Sequence, residues 1–213
     1  MSQAADSSSP TPPPSSASSS ISQAISERCA VWSWTDRPGL EVLHLVRAAS
    51  GIVAEGSVLV VLDGTATSVR YRIEHDADWR FRRARIELDT HAGSRMLDIE
   101  RDERGRWTIQ GEPRPDLAGC EDLDLMLTPY TNTPPLAAHP LAPGSSRKLR
   151  VAWVRFPDLD IRAVEQEYTR LDPQPSSDGS TRYRYRNLTS GFTGELGVDS
   201  DGLVLDYGPW SRR

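Results

Sequence analysis

The sequence lacks any long hydrophobic run, since no apolar stretch approaches the about 18 residues that a membrane-spanning helix needs. Its N-terminal residues also have neither the basic start nor the apolar segment of a signal peptide. We therefore expect a protein with no transmembrane segment, located in the cytoplasm. Cysteine is scarce as well, because Cys29 and Cys120 are the only two. Two cysteines this far apart in sequence do not form a disulfide framework, and we predict separate thiols.

Lysine is nearly absent: Lys148 is the only one, against abundant arginine. The formal net charge of the 213 residues is −5, which argues against the concentrated basic face of a nucleic-acid-binding protein. Residues 1–27 consist mostly of Ser, Pro, Ala and Gln and contain little that could be buried. We predict that residues 1–27 are a disordered Ser/Pro-rich tail and that residues 28–213 form a single domain.

From Ala30 onward, short alternating runs of apolar and polar residues are interrupted by Gly, Pro or Asp roughly every 8–12 residues. This texture is typical of a mainly β protein with one or two helices at most. A sheet with so many strands twists until it packs as two layers or curls, and a curled sheet encloses a cavity. Residues 161–171 fit either a helix or a strand, and the flanking prolines favour a strand.

Three local features carry further predictions. In the run 79–88 the apolar residues stand at odd positions first and at even positions afterwards, so the extra residue of a β-bulge is expected near Arg82 and Arg83. Gly56, inside a strand, indicates a bulge or the close approach of another backbone. The segments 96–101 and 106–110 form a predicted hairpin, in which Gly105 takes the left-handed conformation that a short loop requires.

The stretch 119–136 has the most distinctive pattern. Leu123, Leu125 and Leu127 alternate with Asp122 and Asp124, so a strand with two carboxylates on one face is predicted. The prolines and threonines that follow end this strand, and we expect one short helix over 131–141. Two carboxylates one strand step apart could hold a cation, act as acid and base, or form hydrogen bonds at a strand end. No neighbouring residue completes a metal site, which favours hydrogen bonding.

Other candidate motifs carry less chemistry. The cluster His75, Asp76 and Asp78 matches no metal-ligand spacing and is interpreted as a polar hairpin loop. Ser145 and Ser146 do not form a nucleophile elbow, because the second glycine of that motif is missing. Neither cysteine stands beside a histidine in the sequence, and there is no glycine-rich phosphate loop, so no cofactor is expected. Arginines alternate along two predicted strands. They either line an anion site or cover the solvated face of a strand, and coverage is the commoner case.

Several segments resemble a bacterial family described as putative glycolipid-binding proteins. They are the run GCEDLDLMLTPYTNT from Gly119 to Thr133, the tryptophans 32 and 34 followed by Pro38-Gly39-Leu40-Glu41, the Arg106-Trp107 hairpin, Gln166 with Tyr168, and the closing VDSDGLVLDY. The resemblance covers about residues 30–210. It implies a spiral β-roll, meaning a long antiparallel sheet wrapped round a single helix as an incomplete barrel. It further implies similarity in shape to bacterial lipoprotein carriers, and a homodimer. After Thr133 the chain departs from the family, which continues with an apolar segment that carries two arginines.

The hypothesis that follows is a non-enzymatic protein that binds a glycolipid or another lipid-like amphiphile in the concave side of its sheet. Acyl chains would be buried against apolar side chains, and a polar rim would orient the head group. The expected rim residues are Asp122, Asp124, Thr128, Tyr130, Asn132 and Arg83. One alternative is a hydrolase or isomerase that uses the Asp122 and Asp124 pair. A second is a structural protein whose sheet serves as a dimer surface without a ligand.

Overall fold

The computed structural model describes residues 24–171 and 179–213. The first strand begins at Ala24. Residues 1–23 of the predicted tail lie outside the described residues. No helix in the described part of the chain is long and apolar enough to cross a membrane.

The described strands form one sheet, built from two halves that each follow the order of the chain. The first half is β1 (Ala24–Trp34), β2 (Gly39–Ala48), β3 (Gly51–Leu62), β4 (Thr65–His75), β5 (Phe81–Thr90), β6 (Gly93–Arg101), β7 (Trp107–Ile109) and β8 (Glu112–Pro113). The second half is β9 (Asp122–Leu125), β10 (Ser146–Arg155), β11 (Asp160–Arg170), β12 (Thr181–Asn187), β13 (Thr193–Val198), β14 (Val204–Tyr207) and β15 (Trp210–Arg212).

The halves join where β1 pairs with β15, and β8 and β9 remain as the two edges. The 15 strands therefore make an open curled sheet that is not closed into a barrel, which confirms the predicted fold class. At the join, the indole N–H of the fully buried Trp32 donates to the carbonyl oxygen of Val204, 2.8 Å away. This bond satisfies the polar atom of a large core side chain across the seam.

One segment crosses the concave side of the sheet. It consists of a 3-10 turn, Pro129–Asn132, followed by the helix α1, Thr133–Ala138. Because this segment separates β9 from β10, the two strands run parallel, and every other pair of described neighbours is antiparallel. The single predicted helix is confirmed, although it is shorter than the expected range 131–141. Thr128 caps the 3-10 turn by accepting a hydrogen bond from the backbone N–H of Tyr130, and Pro129 occupies the first turn.

The local predictions for the strands are largely confirmed. Arg82 is the extra residue of a bulge, because Glu74 pairs with Arg83 while His75 pairs with Phe81. Residues 160–170 form the strand β11, and the hairpin between β6 and β7 includes a left-handed Gly105 with φ of 76°.

Another group does approach Gly56 closely, as predicted, but that group is a side chain and not a backbone. A Cβ atom at Gly56 would lie 2.0 Å from Cζ of Tyr71. An aromatic ring therefore crosses this position, where a backbone or a bulge was expected. The absence of a side chain at Gly56 is what lets Tyr71 lie flat against β3.

Antiparallel pairing places alternate turns at the same end of the curled sheet. The turns that follow β1, β3, β5, β10, β12 and β14 all lie at one end, which we call the mouth. Its turns are 35–38, 63–64, 91–92, 156–159, 188–192 and 208–209. Hydrogen bonds cross this end, since the guanidinium of Arg95, near the start of β6, donates to the carbonyl oxygens of Pro157 and Asp158 in the turn 156–159.

Candidate functional site

A cavity of about 500 Å³ lies on the concave side of the sheet, beside the turns of the mouth. One part of its wall comes from the corner where β9 leads into α1, through Asp124, Thr128 and Asn132. The other part is aromatic. Its rings are those of Trp153, Tyr185, Phe192, Tyr207 and Trp210.

Four of the five rings of the aromatic wall, those of Tyr185, Phe192, Tyr207 and Trp210, form a continuous array. Tyr207 and Trp210 stack with their centroids 5.6 Å apart and their planes 5° apart. Tyr185 meets Tyr207 edge to face at 5.7 Å, and Phe192 stands at 6.4 Å from Tyr207. Phe192 is 50% exposed, which places an uncovered ring at the entrance to the cavity. Flat, largely apolar surfaces of this kind pack against aliphatic chains and against the C–H faces of ring-shaped ligands.

Asp124 provides the acidic group of the polar wall. Its Oδ1 accepts a hydrogen bond from the Thr131 hydroxyl at 2.9 Å, and its Oδ2 accepts one from Nε2 of Gln166 at 2.6 Å. Burial raises the pKa of the Asp124 carboxyl, although both hydrogen bonds act in the opposite direction. These bonds tie β9, the 3-10 turn and β11 together. The hydrogen-bonding interpretation of this acid therefore agrees with its geometry.

Asn132 is held in a similar way. The hydroxyl of the buried Tyr168 donates to Oδ1 of Asn132 at 2.8 Å, while Nδ2 of Asn132 donates to the carbonyl oxygen of Pro129 at 3.1 Å. Tyr168 in turn contacts the cavity residue Tyr185, at a ring distance of 5.3 Å. The corner is thus connected to the aromatic wall through one tyrosine.

Asp122 does not line the cavity. Its Oδ1 accepts a hydrogen bond from the backbone N–H of Leu123 at 2.8 Å and lies 3.7 Å from Nε2 of His75. Both side chains are buried. His75 is the last residue of β4, and its side chain faces inward. The interpretation of His75 as part of a polar hairpin loop is therefore wrong. Asp76 does organise that loop, since its Oδ1 accepts hydrogen bonds from the backbone N–H groups of Asp78 and Arg80.

Two further expected rim residues lie away from the cavity. Tyr130 is completely buried and stacks on Tyr71, with centroids 6.5 Å apart and planes 15° apart. Arg83 is on the outer face of β5, where its Nε donates to Glu74 at 2.7 Å. Beyond the bulge at Arg82 the even positions of β5 face inward, so Arg83 must face outward. The structure brings Asp124, Thr128 and Asn132 together at the cavity and leaves Asp122, Tyr130 and Arg83 outside it.

Sequence reasoning missed the buried acid Glu41. Its Oε1 accepts hydrogen bonds from the Tyr71 hydroxyl at 2.5 Å and from the Thr128 hydroxyl at 2.6 Å, whereas its buried Oε2 has no hydrogen-bond partner among the described residues. Burial raises the pKa of Glu41 to about 8, because the charged form loses its hydration. A signal was available: Glu41 stands in register with the apolar inward positions Leu43 and Leu45 of β2.

The two thiols are free and separate, as predicted. Cys29 is exposed on the outer face, where its Sγ lies 3.2 Å from Nδ1 of His44, while Cys120 is buried. The Cys29 and His44 contact follows from the pairing of β1 with β2, so the absence of a histidine beside either cysteine in the sequence did not exclude it. Among the described residues, no group of three or more His, Cys, Asp or Glu side chains could hold a metal ion.

Two solved structures are similar to this chain. A protein of the DUF1089 family from Pseudomonas aeruginosa has 33% sequence identity and a TM-score of 0.71, over 82% of this chain and 92% of that one. A β-barrel-like protein of the DUF1849 family from Brucella abortus has 13% identity and a TM-score of 0.52, over 88% and 93%. This second likeness concerns the fold alone. No match is found among curated proteins.

A family profile with the description "Putative glycolipid-binding" matches residues 29–213, which include nearly the whole sheet, the helical corner and the cavity. The match begins at Cys29 in β1 and ends at the last residue of the chain. The chain belongs to this putative glycolipid-binding family.

Proposed function

We propose that this protein is a non-enzymatic binder of a glycolipid or a similar amphiphile, and that its ligand occupies the concave cavity beside the mouth. The observation that carries the proposal is that the two walls of the cavity differ in composition. Five aromatic rings face a polar corner built from Asp124, Thr128 and Asn132 across a space of about 500 Å³. Ligand sites are typically concave, mainly apolar and supplied with a few fixed polar groups. The family's description supports the same class of ligand.

The polar corner suits a head group rich in hydroxyls. Carboxylate and amide oxygens accept hydrogen bonds from hydroxyl groups, and each Asp124 oxygen keeps acceptor capacity beyond the single bond it has within the protein. Asn187 and Ser190 contribute further polar groups at the entrance. The Arg162 guanidinium also reaches the cavity, but it is paired with Asp160. These contacts favour an uncharged head group over an anionic one.

The geometry gives less support to the hydrolase or isomerase alternative. That mechanism requires Asp122 and Asp124 to reach one substrate, whereas Asp124 lines the cavity and Asp122 faces His75 instead. The predicted homodimer and the predicted cytoplasmic location stay predictions.

Extraction and binding together test the proposal. Protein purified without detergent is denatured, extracted with organic solvent and analysed by mass spectrometry, and we expect an amphiphile to co-purify. Thermal unfolding is then followed with glycolipids and phospholipids as separate additions. A ligand at a hundred times its Kd stabilises the folded state by about 2.7 kcal/mol, which raises the Tm of a domain of this size by several degrees. An empty extract together with an unchanged Tm for every lipid class would contradict the proposal.

A further inference from the structure

An exposed apolar patch lies on the outer face of the sheet next to the mouth. Leu40 is 43% exposed, Leu59 is 59% exposed and Val61 is 36% exposed. Leu40 and Leu59 are direct cross-strand partners on β2 and β3, and Val61 follows on the same face of β3. With Pro38 and Ala66 these side chains line a shallow groove of about 560 Å³. Single exposed leucines are ordinary, but a contiguous group of them marks an interaction site. We call this group the outer patch.

The outer patch and the cavity share one end of the molecule. Leu40 is the second residue of β2, which follows the mouth turn 35–38, and Val61 is the last residue but one of β3, which precedes the turn at residues 63–64. Within the first of these turns, the backbone N–H and the hydroxyl of Thr35 both donate to the carbonyl oxygen of Pro209, at 2.8 and 3.1 Å. Pro209 lines the cavity. The wall that separates the patch from the cavity is therefore the seam between β15, β1 and β2.

We propose that the outer patch docks this protein onto the surface of an uncharged lipid membrane while the cavity takes up the head group of one lipid. This inference rests on the proposed function and identifies where that ligand comes from. A cavity of about 500 Å³ has the size of a site for one drug-sized molecule. A membrane lipid whose head group fills it keeps its acyl chains outside, where they need an apolar surrounding. An apolar surface beside the entrance lets the chains stay in the bilayer.

The charges of the mouth favour an uncharged surface over an anionic one. Arg37 pairs with Asp36 at 3.1 Å, and Arg155 pairs with Asp158. Asp63 adds a further acid in the turn that follows β3. Docking to anionic lipid relies on clusters of basic residues, whereas docking to neutral lipid relies on buried apolar area. Among the arginines described at this end, Arg37 and Arg155 are offset by acids and Arg95 donates to backbone carbonyl oxygens, so they do not form a basic cluster and apolar area is the stronger contribution.

Vesicle flotation with the full chain tests the proposal. The probes are phosphatidylcholine vesicles that contain a glucosyl lipid, and matched vesicles with phosphatidylglycerol added. The test variant is Leu40→Glu with Leu59→Glu. Its control is Met96→Glu, because Met96 is 51% exposed on the outer face of β6 but lies outside the patch. We expect the native chain and the control to float with the neutral vesicles, and the bound fraction of the double variant to fall about tenfold or more.

A water-soluble probe separates this proposal from the proposed function. Octyl glucoside below its micelle concentration reaches the cavity without a membrane, and tryptophan fluorescence reports its binding. The double variant should bind it as the native chain does. If the native chain does not bind octyl glucoside, the proposed role of the cavity in ligand binding is overturned. If the double variant floats as the native chain does, the proposed role of the outer patch in docking is overturned. Flotation that requires phosphatidylglycerol overturns it too. The docking proposal is also overturned if the native chain is a dimer in sedimentation velocity and the double variant is a monomer, because the patch then contacts a second copy of the chain.

Discussion

The carboxyl group of Glu41 on β2 accepts a hydrogen bond from the Thr128 hydroxyl, 2.6 Å away, across 87 residues of sequence. Thr128 is also the residue that caps the 3-10 turn and contributes to the cavity wall. This buried acid therefore holds the corner of the candidate site against β2. Within the described part of the chain, the hydrogen-bond partners of this acid are hydroxyl groups and none is a cation, so its protonation state should influence the stability of the fold.

We predict that stability falls as pH rises, because Glu41 keeps its proton in the folded state. The folded pKa is about 8 and the reference value is 4.5, so the stabilisation is complete below the reference value and is lost as pH rises through about 8. Between these limits the free energy of unfolding should fall by up to about 1.4 kcal/mol per pH unit from this group. Urea unfolding at several pH values measures the slope. Glu41→Gln should flatten the slope while keeping the fold, and an unchanged slope in that variant would show that another group causes it.

Gly56→Ala should destabilise the fold by about 1–3 kcal/mol, the usual cost of overpacking. The added Cβ would lie 2.0 Å from Cζ of Tyr71, so the ring must move and its hydroxyl must leave Glu41. Denaturant unfolding measures the loss. The neighbouring exposed Ser57 supplies the control, because Ser57→Ala changes the same strand on its outer face. Equal stability of the two variants would contradict the close packing described for this site.

Phe192→Ala should weaken ligand binding with little effect on folding. The ring is half exposed at the entrance, so its removal costs few core contacts. It does remove one of the rings that line the cavity. We expect about tenfold lower affinity for octyl glucoside, equivalent to about 1.4 kcal/mol, measured by fluorescence titration. Met96→Ala removes a side chain of similar exposure outside the cavity and should bind as the native chain does.

Replacing Asp122 and Asp124 together by Asn should change affinity without removing a catalytic activity. Both residues hold hydrogen bonds in the corner, and amide oxygens retain part of that acceptor capacity. The measurement compares ligand affinity and substrate turnover for the native and variant chains over one panel of glycosides and esters. Turnover by the native chain that the double variant loses would favour the hydrolase or isomerase alternative.

Local patterns predicted much of the secondary structure. The change of parity within 79–88 was sufficient to locate the bulge at Arg82, and the prolines around 161–171 correctly favoured β11. The same parity implies that Arg83 faces outward, away from the cavity. Periodicity was informative in these cases because inward and outward faces alternate with every residue of a strand.

Contacts between distant segments could not be predicted in this way. Asp122 contacts His75, and Cys29 contacts His44. Trp210 lines the same cavity as the polar corner, which lies more than seventy residues earlier in the sequence. Each contact depends on the order of strands in the sheet and on its curl, and neither property is encoded in the spacing of nearby residues.

The sequence by itself determined that residues from Ala30 onward form a strongly twisted sheet, where its bulge and hairpin lie, and that the stretch 119–136 leads from a strand into one helix. These properties follow from local alternation, turn chemistry and proline. Only the tertiary structure decided which acid faces a cavity and which is hidden. Asp122 and Asp124 alternate identically in the sequence, but the register of β9 against β10 and the curl of the sheet bring Asp124 to the mouth and Asp122 to His75.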